Sequence, residues 1–249
     1  MEEVEPSLNS ESFVQRFLRF VKIHKWKILV GAVVLYTGIE FSTLPLGDLE
    51  RLKKENPKET AFMRFAAEAA SNNKKQFQKT QAWVPLRSIP THTVNAVIVA
   101  EDGTFWSHEG FDWFEFKESL WKNIKEFRFA RGASTITQQL VKNLYLSPSK
   151  DPMRKLKEWI LTWKMERTLN KSRILEIYLN VIEWGDGIYG IEAAARHYFG
   201  KSASELTREE SARLAAVIPN PKRYRANSDS RTVLRRTSII LARMEARGW

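Results

Sequence analysis

Glu101-Asp102-Gly103-Thr104-Phe105-Trp106-Ser107-His108-Glu109-Gly110-Phe111-Asp112 is the stretch around which the rest of the chain is organised. It leaves an apolar, β-branched run, Val94 to Ala100, whose composition fits a buried helix or a buried strand. Two adjacent carboxylates, Glu101 and Asp102, come directly out of that run, followed by aromatics, a histidine and glycines. A carboxylate at the rim of an apolar segment is poorly hydrated, which raises its pKa and suits it to proton transfer. The alternative is a helix end with solvated acids, and at this point both readings stand.

The surrounding composition narrows the classes. At 249 residues there is room for one large domain or two small ones. A hydrophobic content of 43% with 12% aromatics supports a real core and excludes disorder as the class. The formal charge of +11 and a pI near 9.8 call for an anionic partner: nucleic acid, anionic lipid or a phosphorylated substrate. Without cysteine there are no disulfides and no thiolate metal sites, and the compartment stays open. His24, His92, His108 and His197 are too scattered to suggest a histidine zinc site.

Upstream, residues 1–12 are acidic and polar and are expected to be disordered. Residues 13–27 alternate aromatics with Arg16, Arg19, Lys22, Lys25 and Lys27, so 1–27 reads as a basic cytoplasmic segment. Ile28 to Leu44 is almost wholly apolar, interrupted by Glu40, and about 17 such residues is near the lower limit for a bilayer span. An anchor over 28–46 is expected, with Glu40 near the outer interface. A cleaved signal peptide competes, but the basic region is long and no small-x-small site follows. Residues 47–82 read as a membrane-proximal arm with an amphipathic helix over 59–70, and 83–249 as the main domain.

Within that domain the patterning is mainly helical. Phe114 to Phe129 interleaves aromatics with Lys117, Lys122, Lys125 and Arg128, as either a core-facing helix or a segment dipping into a membrane interface. Arg131 to Asn143 offers a flexible turn at Gly132, a cap at Ser134 or Thr135, and then Thr137, Gln138 and Gln139. Such neutral hydrogen-bonding groups suit a sugar-binding surface. Asp151-Pro152 opens another helix, on which Arg154, Lys157 and Glu158 stand at i, i+3 and i+4. This spacing is usually a solvated ion-pair face. With Lys142 and Lys150 upstream it also makes a cation cluster suited to a diphosphate. A core helix over 171–180, a glycine turn at Gly185, Gly187 and Gly190, and a helix over 192–198 follow. Capping boxes Ser202…Glu205 and Thr207…Glu210 introduce a helix to Ile218, and a last basic helix runs over 231–247.

These blocks, in this order, resemble the motifs of the peptidoglycan glycosyltransferases. The carriers are Glu101-Asp102-x-x-Phe105-x-x-His108-x-Gly110-x-Asp112, Gly132-x-Ser134-Thr135-Ile136-Thr137-Gln138-Gln139 and Arg154-Lys155-x-Lys157-Glu158. Lys171-x-x-Ile174-Leu175-Glu176-x-Tyr178-Leu179-Asn180 and Gly187-x-x-Gly190-x-x-x-Ala194-Ala195-x-x-Tyr198-Phe199-Gly200-Lys201 complete the set. The chain ends where bifunctional relatives continue into a transpeptidase domain, so it looks like the monofunctional type. Ser71…Lys74 and Ser147…Lys150 match Ser-x-x-Lys, but neither has a Lys-Thr-Gly partner, and a transpeptidase nucleophile is rejected.

The resemblance implies a mainly α, lysozyme-like domain behind an N-terminal transmembrane helix. It implies polymerisation of lipid II on the outer, periplasmic side of the bacterial cytoplasmic membrane. Glu101 would be the general base, and Glu158 the second essential carboxylate. Lys142, Lys150, Arg154 and Lys157 would neutralise the leaving diphosphate, while Ser134, Gln138 and Gln139 line the sugar cleft. Asp102, Phe105, His108 and Gly132 would hold the motif in shape. Many relatives carry arginine where this chain has Lys150, which turns a bidentate phosphate contact into a point charge. A divalent cation, Mg or Mn, at the diphosphate is the one cofactor left open. The partners implied are lipid II, the growing lipid-linked glycan, the membrane and proteins of cell-wall synthesis or division, with no nucleic acid. The rivals are a lysozyme-like hydrolase or lytic enzyme, and a non-catalytic anchored binding protein.

Overall fold

The structure, a computed structural model, describes residues 13–114, 117–118, 134–149 and 151–249. The expectations for residues 1–12, Gly132, Lys150 and most of 114–129 therefore lie outside the described residues. The chain divides into two compact units, residues 1–44 and 45–249.

The first unit is one helix, α1 (Phe13–Ser42), in which no residue is buried. The span Phe13–Arg51, which opens with this helix, holds an 18-residue window of mean hydropathy 1.6 and is long and apolar enough to cross a membrane. The regular backbone of α1 starts within the basic segment and ends before Pro45, short of the limit expected at 46. The residue before a proline is driven out of the helical region, which stops the helix there.

In the second unit, α2 (Leu46–Arg51), α3 (Ala61–Asn72) and β1 (Thr80–Gln81) come first. The stretch read as an arm is packed into this unit, because it has its own apolar face: Leu49, Leu52, Ala61 and Met63 are all buried. Thr60 caps α3 by accepting from the Met63 amide at 3.1 Å. Arg173 then ties the loop after α2 to the domain, donating to the Leu52 carbonyl at 2.8 Å and the Glu55 carbonyl at 2.9 Å.

The remaining elements are α4 (Thr91–Glu101), α5 (Ile136–Tyr145), α6 (Pro152–Thr168), α7 (Lys171–Val181), β2 (Glu183–Gly185), β3 (Ile188–Tyr189), α8 (Ile191–Phe199), α9 (Arg208–Val217) and α10 (Arg231–Glu245). The ambiguous run 94–100 is helical. It is apolar nearly all round because α9 and α10 both pack against α4. Thr93 and His92 find polar partners there, the Ser211 hydroxyl at 2.8 Å and the Leu206 carbonyl at 2.7 Å. α5 packs between α3, α6 and α7.

Local chemistry explains most of the boundaries. Asp151 accepts from the amides of Met153 and Arg154 ahead of Pro152, and Asn170 accepts from the Arg173 amide. Both capping boxes form, although the one at Ser202 opens a single 3₁₀ turn over 203–205. The glycine turn is a β2–β3 hairpin, with β1 pairing parallel to β3 in the order β1-β3-β2. Asn180, fully buried at the end of α7, exchanges hydrogen bonds with both backbone groups of Val84 and locks 81–86 onto the helix.

Gly187 has φ +74°, and a Cβ there would lie 2.2 Å from the Gln78 carbonyl oxygen. Gly200 has φ +69° with open space around it. Gly187→Ala should therefore cost roughly 3 kcal/mol or more, from backbone strain plus a collision with main chain. Gly200→Ala should cost only about 1–2 kcal/mol. Denaturant midpoints of the two variants check this ordering.

Candidate active site

α4 ends at Glu101, and at Asp102 the backbone leaves the helix with φ −157°. That turn aims the buried Asp102 carboxylate at the start of α5, where its Oδ2 accepts from the Ile136 amide at 2.9 Å. An anion is favoured at a helix N-terminus, where amides lack carbonyl partners. His108 donates from Nε2 to the same carboxylate at 3.0 Å, while its Nδ1 accepts from the Gly110 amide at 3.0 Å. That pattern places the ring proton on Nε2. Thr135, the α5 cap, closes the loop by donating to the Gly110 carbonyl at 2.8 Å.

Gly110 has φ +91°, and a Cβ there would meet Thr162 and Glu166 within 3 Å, so only glycine lets the loop lie this close to α6. Phe105 is fully buried, with Lys171 Nζ 4.5 Å above its ring. Lys171 also donates to Glu166 at 2.8 Å, and Thr137 donates to the same carboxylate oxygen. The motif residues Asp102, Phe105 and His108 are thus gathered under one loop.

Glu101 is half-buried, open enough to meet a ligand yet surrounded by protein on most sides. Burial pushes its carboxyl above the usual carboxylate range, and neighbouring Asp102 adds to the shift. A hydrogen bond from Gln139 Nε2, at 2.9 Å, and the charges of Arg236 and Lys142 act in the opposite direction. Gln139 itself accepts from the Tyr178 hydroxyl at 2.9 Å.

The cationic face meets this carboxylate through Lys142. Burial lowers the Lys142 pKa, the charges of Glu158 and Glu101 raise it, and those of Arg154 and Lys155 lower it further. Lys142 also lies 5.8 Å from the centre of the Phe62 ring. The Glu158 carboxylate is almost fully enclosed, accepting from Arg154 Nη1 at 2.7 Å and from Lys155. Arg154 Nε is buried beside it with no hydrogen-bond partner. The sequence spacing had grouped Lys157 with Arg154 and Glu158. Residues one apart do not face each other on a helix, so Lys155, at i−3 from Glu158, is the lysine that pairs with it. Lys157 is half-buried on the same helix.

Beside this face lies a cavity of about 160 Å³ lined by Phe111, Asp112, Trp113, Ser134, Gln138, Lys155 and Trp159. Phe111 stacks on Trp113 with ring centres 5.6 Å apart and meets Trp159 edge-on at 6.2 Å. Flat aromatic walls with a hydroxyl, an amide and a lysine suit a sugar carrying an anionic substituent. Of Ser134, Gln138 and Gln139, the first two line this cavity, whereas Gln139 is turned toward Glu101. Thr135 rather than Ser134 caps α5, and Gln138 completes its capping box.

Both oxygens of Glu158 are held by cations, and among the described residues no group of three or more His, Asp or Glu converges. Two contributors, Lys155 and Tyr178, stood in the motifs without a role; the i−3 spacing of Lys155 to Glu158 could have found the first, whereas Tyr178 sits in the pattern of an ordinary core helix.

Comparison with known proteins places this geometry in a family. Residues 68–245 match the family model described as transglycosylase, beginning inside the stretch that had read as an arm. The chain belongs to the transglycosylase family. It is 48% identical to the biosynthetic peptidoglycan transglycosylase of Dechloromonas aromatica (strain RCB), over 77% of this chain and 83% of that one. It is 43% identical to the protein of the same name from Herminiimonas arsenicoxydans, over 90% and 95%. With that of Laribacter hongkongensis (strain HLHK9) it shares 40% identity over 88% and 96%.

Two variants test the electrostatics. The Glu101 carboxyl has a folded pKa above its unfolded value, so ionising it costs stability as pH rises from the unfolded value through the folded one. Glu101→Gln should therefore melt higher than the parent at neutral pH, and the gap should close as pH falls below about 4.5. Glu158→Ala removes the anion between two cations and should cost about 3 kcal/mol, as breaking a buried pair does. Thermal melts across pH and denaturant titrations read the two effects.

Proposed function

We propose that this protein polymerises lipid II into linear peptidoglycan strands, with the lipid-linked growing glycan as donor and lipid II as acceptor. The observation that carries the proposal is the pair on α5 of Gln139, which donates to Glu101 at 2.9 Å, and Lys142 about one turn further on, whose charge interacts with both Glu101 and Glu158. A desolvated carboxylate and a set of fixed cations therefore belong to one site.

Glu101 takes the proton from the acceptor sugar's 4-hydroxyl as that oxygen attacks the anomeric carbon of the donor. The bond to the undecaprenyl diphosphate breaks, the electron pair leaves on the diphosphate, and the linkage inverts from α to β. Such a displacement needs a base on the nucleophile and positive charge on the leaving group. A diphosphate already leaves well, so no proton donor of the glycosidase kind is required. Lys142, Arg154 and Lys155 supply the charge, with Lys150 and Lys157 as further candidates. Glu158 holds Arg154 and Lys155 in place rather than acting on substrate. Ser134 and Gln138 contact the sugar from the cavity wall.

α1 anchors the chain in the bacterial cytoplasmic membrane as a single pass, with residues 45–249 on the outer side, where a lipid-linked substrate is presented. Proteins of cell-wall synthesis or division are the candidate partners. A hydrolase acting on finished peptidoglycan also uses a carboxylate but has no use for this cation set.

Incubation with lipid II, followed by electrophoresis of the products, should show long glycan strands. Cleavage of preformed peptidoglycan with no polymer formed would overturn the proposal. Glu101→Gln should reduce polymerisation by at least about 100-fold with the fold retained. Lys142→Ala should lower turnover by about 100-fold or more, well beyond any change in melting temperature.

A further inference from the structure

We propose that Tyr178 is a positioning residue for the base, acting through Gln139: its hydroxyl fixes which end of the Gln139 amide faces Glu101. This rests on Glu101 being the base. The geometry is a chain across three helices. Tyr178 on α7 donates to Gln139 Oε1 at 2.9 Å, and Gln139 on α5 donates from Nε2 to Glu101 Oε2, at the end of α4, at 2.9 Å.

An amide side chain offers an acceptor at one end and donors at the other, and rotation by half a turn exchanges them. Anchoring the oxygen on a phenol forces the NH₂ toward the carboxylate. The reversed amide would set a carbonyl oxygen against an anion and leave the tyrosine hydroxyl unpaired in the core. Tyr178 is fully buried, and burial holds its phenol well above the ordinary range, so the hydroxyl remains a donor at every working pH. The backbone of Gln139 is held as well, its carbonyl accepting from Asn143 at 2.8 Å.

Among the described residues, the charged and titratable groups that act on Glu101 come from several elements. They are Asp102 beyond the end of α4, Lys142 on α5, Arg236 on α10 and Tyr178 on α7. Lys142 and Arg236 favour the ionised carboxylate through charge alone. The Gln139 amide is the direct hydrogen-bond donor to it from a neighbouring helix. Orienting that donor selects the ionised state of Glu101, and it also fixes the direction in which the other carboxylate oxygen is presented to the acceptor hydroxyl.

The test is the pH profile of kcat/KM for lipid II polymerisation by the full chain. In Tyr178→Phe the acid limb should move to higher pH, because an unfixed donor stabilises the carboxylate less. Turnover near that limb should fall about 2–10-fold, the range expected for one hydrogen bond. Gln139→Met should move the limb in the same direction, and it keeps the test open if Tyr178→Phe folds poorly. In the double variant the losses should not add, since the tyrosine acts only through the amide.

A limb that stays in place in both single variants, with only the melting temperature lowered, overturns the relay, as do fully additive losses in the double variant. Glu101→Gln separates the two proposals. If that variant keeps near-normal activity, the base assignment fails and the relay with it. If it is inactive while Tyr178→Phe has the parent profile, the relay alone fails.

Discussion

The constraint on which the site depends is the Asp102 carboxylate, shared between the Ile136 amide and His108. It joins the end of α4 to the beginning of α5, which are separated by 34 residues of chain. Glu101 is the last residue of one helix, while Gln139 and Lys142 lie on the other, so this joint sets their mutual positions. Thr135, which caps α5 and donates to Gly110, repeats the connection from the opposite side. A loop fastened at several points has few alternative conformations, and a preorganised charge environment requires that.

Around the joint the electrostatics are balanced rather than maximised. Burial raises the Glu101 carboxyl, whereas the Gln139 amide and the charges of Arg236 and Lys142 act the other way. The result is a carboxyl above its ordinary range but not isolated from cations, the condition in which a weak base can still accept a proton. Lys142 is subject to the reverse balance, since burial and two neighbouring cations oppose its charge while two carboxylates support it. Glu158 keeps Arg154 and Lys155 packed together despite their mutual repulsion. The site therefore holds positive charge in a place where solvation alone would not maintain it.

Much of this was legible in the chain. The caps at Asp151 and Thr207 and the turn at Gly187 depend on neighbours within a few residues, and local spacing reported them correctly; the Asn170 cap appeared only in the structure. The pairing within α6 was legible in part: the i, i+4 spacing of Arg154 and Glu158 was evident, whereas the contact of Lys155 with Glu158 was not singled out. The run 94–100 was ambiguous because an all-round apolar segment has no periodicity to read. Its helical state depends on α9 and α10 covering it from two sides. The stretch 47–82 reads as an arm from its mixed, charged composition. Leu49, Leu52, Ala61 and Met63, which are buried, show which of its apolar residues pack.

The sequence by itself determined the membrane-length apolar helix, the mainly helical domain, the motif order and the identity of Glu101 as the carboxylate to watch. These rest on composition and short-range spacing, which need no knowledge of what lies across the core. Only the tertiary structure decided that Gln139 faces Glu101 while Gln138 faces the cavity, and that Tyr178 reaches Glu101 through an amide. It also decided that Arg236, on the last helix, contributes its charge to the same site. Each of these is a contact between helices distant in the chain. A side chain's partner there depends on how the helices pack, which the residue's own neighbours in sequence do not specify.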